Sequence, residues 1–190
     1  MPRSTREQLI DVARQLFARK GVDSTTMGDI ATASDRGRRT VYTYFRNKKD
    51  VYDAVLSSES DALIKRLEDI SAADAPVEQR VREFLSVRLA QRREEHNVVA
   101  ALRALYKPDI RRMGRIRRMV RERARHLLHL LLQEGIDSGV FLADRCRLLE
   151  TFALDCMHAM EIAGADTDAE GLAVSADGML DFIISDISAG

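Results

Sequence analysis

STTMGDIATASDRGRRTVYTYFRNKKD, residues 24–50, decides the fold. Thr25 or Thr26 can cap a short helix whose inner face is Met27, Ile30 and Ala31. The turn Ser34-Asp35-Arg36-Gly37 follows, and a third helix is expected from about Arg38 to Phe45. Asn47 then caps a fourth. Between Arg36 and Lys49 stand six Lys or Arg and no acid. A short basic helix held at a fixed angle by a preceding helix is what enters a DNA major groove.

Working outward, Ser4 with Glu7, or Thr5 with Gln8, forms a capping box for a first helix. Leu9, Val12, Ala13, Leu16 and Phe17 recur along it at helical spacing, and Gly21 ends it with Val22 as the accompanying apolar contact. The fourth helix runs from about residue 48 to 70, with Val51, Val55, Leu63, Leu67 and Ile70 on one face. SAADAP at 71–76 breaks the chain. Helices are then expected at 77–97, near 98–106, from Pro108 to about Ser138 with Gly139 as its stop, at 145–164 and at 168–187. No stretch alternates with period two, so the fold class is all-α. An N-terminal helix-turn-helix domain (1–62, its two-helix unit at about 26–45) precedes a larger C-terminal helical domain (63–190).

On the third helix residues advance about 100° each. Val41, Tyr44 and Phe45 fall to the side that can pack on Leu16, Phe17 and Ile30. Arg38, Arg39, Tyr42, Thr43 and Arg46 fall opposite. Such a face suits DNA: arginine grips guanine O6 and N7, a threonine methyl meets a thymine methyl, and hydroxyls bond phosphate. Lys48 at the start of helix four, and Thr26 at the start of helix two, can add an ammonium, a hydroxyl and helix-terminal amides. A basic helix merely solvated at the surface is the plainer alternative.

The order ARQLFARKG (13–21), TTMGDIA (25–31) and TVYTYFRNK (40–48) resembles the TetR (tetracycline-repressor-type) transcriptional regulators over roughly residues 5–56. The resemblance implies an all-α homodimer whose C-terminal domain binds a small effector that switches DNA affinity. It also implies phosphate contacts at Thr26, Thr40, Tyr42 and Lys48, and base contacts at Arg38 and Arg39. The turn departs from the family pattern. Asp35 can adopt the left-handed conformation a turn needs, but Arg36 replaces a turn hydrophobe and Gly37 removes an N-cap hydroxyl. A different seating of the recognition helix is expected, and an operator unlike the best-known ones.

The chain has 190 residues, 45% of them apolar, with three prolines and no tryptophan. That composition fits a folded, helix-rich protein. Its net charge of zero conceals an asymmetry. Residues 1–60 hold 11 basic and 8 acidic side chains, 61–130 hold 17 and 10, and 131–190 hold 2 and 12. A polyanion would therefore meet the N-terminal end. Cys146 and Cys156, ten residues apart on one expected helix, are about 15 Å apart along it and read as buried free thiols in a reducing compartment. No signal peptide and no membrane-length apolar run is recognised, so a cytoplasmic protein without membrane contact is expected.

In the C-terminal domain the helix at 145–164 is apolar around most of its circumference, which calls for both a core and a second buried surface. Leu149, Phe152, Ala153, Cys156 and Met160, with Met179 and Ile183 on the last helix, are the expected homodimer interface. Phe84, Ile116, Val120 and Phe152 are apolar candidates for an effector pocket, with the core as the plainer reading for each. Glu122, His126 and His129 share a helix face, yet two histidines on one helix are ordinarily surface residues, and no metal or other cofactor is expected. The arginines from Arg111 to Arg125 read as a solvated, ion-paired face, or as a site for an anionic effector. No nucleophile elbow, phosphate loop or carboxylate cluster points to an enzyme. The reading is thus a ligand-released repressor acting on a palindromic double-stranded DNA operator. The alternative is an all-α ligand-binding or scaffold protein whose helix-turn-helix leaves DNA alone.

Overall fold

The computed structural model describes residues 4–88, 110–150 and 176–189; of 110–114, 117, 176, 177 and 179 it describes the backbone only. Among these residues the chain is helical: α1 Thr5–Lys20, α2 Met27–Ala33, α3 Arg38–Tyr44, α4 Lys48–Ser71, α5 over 77–88, α6 Ile110–Asp137, α7 over 143–150 and α8 Ala176–Ile187. An isolated antiparallel bridge, Phe141 to Ser188, is the one β-type pairing among them. The fold is all-α, as expected. The short helix near 98–106 and the span 151–175 lie outside the described residues. Two compact units emerge, Met1–Ala62 with Glu95–Ile116, and Leu63–Glu94 with Arg117–Gly190.

In the N-terminal unit each helix end has a local cause. Ser4 and Glu7 form the capping box of α1, with Glu7 N–H donating to Ser4 Oγ at 3.3 Å and Ser4 N–H to Glu7 Oε2 at 2.8 Å. Gly21, at φ 79°, stops the helix and returns its N–H to Phe17 O. Thr26, not Thr25, caps α2; Thr25 is buried and donates its hydroxyl to Gly21 O at 2.7 Å. Asp35 turns the chain at φ 51°, a conformation few residues other than glycine accept. Gly37 starts α3 with no side-chain cap. Asn47 Oδ1 accepts from Asp50 N–H at 3.0 Å and opens α4. Inside, Leu9, Ala13, Phe17, Ile30, Val41, Phe45 and Val51 form one buried cluster, with the Phe17 and Tyr52 rings 6.2 Å apart between centroids.

The second unit has its own core, which includes Leu67, Val81, Phe84, Leu128, Leu131 and Leu180. Arg80 is nearly buried there and fully engaged. Its Nε donates to Ala75 O and its Nη1 to Ser71 O, both at 2.9 Å, and its guanidinium grips the Glu134 carboxylate with both Nη1 and Nη2. One cation thus satisfies the carbonyls where α4 ends and pairs with α6. Past α6, Gly139 takes φ 74° and ends the helix, and Val140 and Phe141 both donate N–H to Gly135 O. Leu142 N–H to Ile187 O (2.7 Å) and Ala189 N–H to Val140 O (2.8 Å) tie this loop to the end of α8.

The Phe141 ring lies directly on Gly135, inside the space that a Cβ there would fill. Alanine at a helical glycine normally gains up to about 1 kcal/mol, but here the neighbour is a buried aromatic ring. Gly135→Ala is expected to destabilise the protein by about 1–3 kcal/mol through overpacking, measured by urea unfolding followed at 222 nm.

Candidate nucleic-acid interface

Seven residues of α3 do two jobs. Val41 and, just past the helix, Phe45 are buried and anchor it in the N-terminal core. Arg38, Arg39, Tyr42, Thr43 and Arg46 are exposed, Tyr42 at 52%. Thr40 is half-buried on the flank. Tyr44 departs from the sequence reading, which placed it inside: it is 43% exposed. The helix ends at Tyr44, and the backbone turns extended at Phe45 (φ −138°, ψ 119°), so Phe45 enters the core while Tyr44, 60° round the helix from Val41, stays at its edge. It thereby adds a phenol on the same flank as Thr40.

Among the described residues no carboxylate pairs with the guanidinium groups of Arg38, Arg39 or Arg46. Arg36, in the turn, donates from Nη2 to Gln8 Oε1 at 3.1 Å. Arg6, on α1, lies 5.5 Å over the Phe45 ring. Arg38 lies against α2: a Cβ placed on Gly28 would stand 2.6 Å from its Nη2.

Three expected contact residues commit polar atoms to the fold itself. Thr26 donates both N–H and hydroxyl to Asp29 Oδ2, each at 2.7 Å, and its oxygen accepts Asp29 N–H at 3.1 Å. Lys48, half-buried, donates from Nζ to Val22 O (2.8 Å) and Asp23 O (3.0 Å), so its ammonium closes the α1–α2 loop. Thr43 donates its hydroxyl to Arg39 O at 2.9 Å, leaving its methyl and oxygen lone pairs. The sequence marks these residues as polar and well placed, but it does not show such competing partners.

Asp29 is the electrostatic hub of this end of the unit. Lys20 Nζ stands 2.8 Å from the same Oδ2. That ammonium, then the Thr26 hydroxyl and amide, hold the carboxyl well below the usual carboxylate range. The α2 N-terminus therefore already carries a negative charge from its own chain.

Elsewhere, Phe84 and Val120 are buried in the core of the second unit and Ile116 is half-buried. A groove of about 280 Å³ between α6 and α7 is lined instead by residues such as His129, Leu132, Ile136, Cys146 and Glu150. Cys146 is a buried free thiol, and burial first, then Asp144 and Glu150, pushes its pKa up. His129 Nδ1 lies 3.1 Å from Glu150 Oε2. No three His, Cys, Asp or Glu among the described residues are grouped to hold a metal. Of the expected interface, Leu149 and Ile183 pack against the core, whereas Leu148 (54%) and Phe182 (71%) on the same helices face outward. An apolar stretch around a helix does not reveal which residues turn inward. Phe152, Ala153, Cys156, Met160 and the Met179 side chain lie outside the described residues. No helix among the described residues is long and apolar enough to cross a membrane.

Residues 9–55 match the family model for bacterial regulatory proteins, tetR family. The chain is 39% identical over 51 residues to the HTH-type transcriptional regulator AcrR of Shigella flexneri, an alignment spanning 27% of this chain and 24% of that protein. It is 27% identical over 145 residues to the HTH-type transcriptional repressor KstR2 of Mycolicibacterium smegmatis, covering 75% of this chain and 70% of the other. In fold it resembles a transcriptional regulator from Cytophaga hutchinsonii, with a TM-score of 0.76 at 18% identity over 96% of this chain and 98% of that one.

Asp29→Asn tests the hub. A carboxyl whose folded pKa is depressed stabilises the fold above its unfolded pKa of about 3.9, and that stability is lost as pH falls through the folded value. The variant is expected to melt below the wild type at pH 7. The two melting midpoints should converge progressively below about pH 4, as measured by thermal scans across that range.

Proposed function

We propose that this chain, a member of the TetR family through its helix-turn-helix domain, is a transcriptional repressor that binds a palindromic DNA operator as a homodimer and is released by a small ligand. The observation that carries this reading is the exposed face of α3. Among the described residues no carboxylate pairs with the guanidinium groups of Arg38 and Arg39 on that face or of Arg46 just past the helix, and Tyr42 is exposed with them. A solvated structural face in a chain with as many acids as bases would be expected to carry ion pairs, as α6 does between Arg123 and Glu68. Cations left unpaired on a short helix suit phosphates and guanine edges. This favours DNA over the scaffold alternative.

One recognition helix makes few contacts, and two held about 34–36 Å apart read successive major grooves. Leu148 and Phe182 supply outward apolar surface of the kind such a dimer buries, with Phe182 the larger anchor. Release follows if the ligand favours a conformation in which the two recognition helices are badly spaced. Helix α4 is the natural lever. Its Val51, Tyr52 and Val55 belong to the core that seats α3, and its Leu63, Leu67 and Ile70 to the core of the second unit.

Selection of duplexes from a randomised pool, followed by fluorescence anisotropy across a salt series, tests the reading. Arg39→Ala is expected to cost about 1–3 kcal/mol at the selected site and to relax preference at one base pair. Unchanged affinity and preference would overturn its base-reading role. Phe182→Asp is expected to shift sedimentation from dimer toward monomer at micromolar concentration and to weaken operator binding with α3 untouched. A wild type that sediments as a monomer yet binds the palindrome tightly would contradict the dimer.

A further inference from the structure

We infer that Gly28 is a positioning residue for Arg38, setting the direction in which that guanidinium meets DNA; this rests on α3 being the DNA-contacting helix. Unlike Gly21 and Gly139, Gly28 is not one of the positive-φ glycines, so its backbone does not require glycine. It lies inside α2, where glycine is a weaker helix former than alanine. What it provides is space. A Cβ there would stand 2.6 Å from Arg38 Nη2, 3.3 Å from Cζ and 3.4 Å from Nε, so one whole edge of the guanidinium rests on the bare α2 backbone.

Arginine's donors form a rigid fork. Fixing one edge against α2 fixes where the other donors point, and a side chain seated before binding has less freedom to lose on contact. Helix α2 thus takes part in specificity without touching a base. Because the displaced atoms are the far end of a flexible side chain, a methyl at 28 moves the guanidinium and leaves the fold intact.

The test compares Gly28→Ala, Arg38→Ala and the double variant on duplexes selected by the wild type, with melting midpoints recorded for each. Arg38→Ala is expected to lose about 5–150-fold at the selected site. Gly28→Ala is expected to lose about 3–10-fold, to change preference at the same base pair, and to melt no lower than wild type. In the Arg38→Ala background it should change nothing further. Gly28→Ser should repeat the effect more strongly. An equal loss from Gly28→Ala with and without Arg38, or an unchanged preference, overturns the inference while DNA binding stands. A wild type that selects no duplex sinks the DNA-binding reading, and this inference with it.

Discussion

A helix of seven residues cannot hold itself together in water, because the cost of its first turn is never recovered over so short a length. Helix α3 is such a helix, and Gly37 gives it no capping side chain. Its helicity therefore depends on burying Val41 and Phe45 among Leu9, Phe17, Ile30 and Val51. Everything on its outer face is held in place by those two side chains. The Asp35 turn sets the angle of entry, and α1, α2 and α4 supply the walls.

Around that anchor the unit separates its polar groups by task. The hydroxyl and amide of Thr26, the carboxylate of Asp29 and the ammoniums of Lys20 and Lys48 close the ends of α1 and α2 and the loop between them. The arginines of α3 are left to face solvent. A fold that consumed those cations in its own ion pairs would have to break them to bind a polyanion. Here the internal bonds are made by groups near the edge of the face, and its centre stays open.

The parts of this architecture legible in the sequence are those written in short-range chemistry. The capping box of α1 at Ser4 and Glu7, the stops at Gly21 and Gly139, the left-handed Asp35 and the missing N-cap at Gly37 each involve residues a few positions apart. The outward set Arg38, Arg39, Tyr42 and Thr43 also follows from helical angle. What escaped depends on neighbours distant in sequence or on small differences of angle. Nothing local says that the Lys48 ammonium will find the carbonyls of Val22 and Asp23, or that Arg38 will rest on Gly28. Tyr44 sits too near the core's boundary for periodicity to decide. Leu149 and Leu148 are equally apolar, so only the fold distinguishes the one that packs inward from the one that does not.

The buried side chains fall into two clusters, one in each unit, with α4 contributing to both. That division governs what an optical experiment can see. The chain has no tryptophan, and of its four tyrosines the three among the described residues, Tyr42, Tyr44 and Tyr52, stand on α3 and α4. Tyr52 is buried against Phe17, while Tyr42 and Tyr44 stand on the exposed part of α3. Intrinsic fluorescence and near-ultraviolet dichroism are therefore weighted toward the helix-turn-helix, whereas far-ultraviolet dichroism weighs every helix. Coincidence of the two signals during unfolding is a direct measure of whether the cores melt as one cooperative unit.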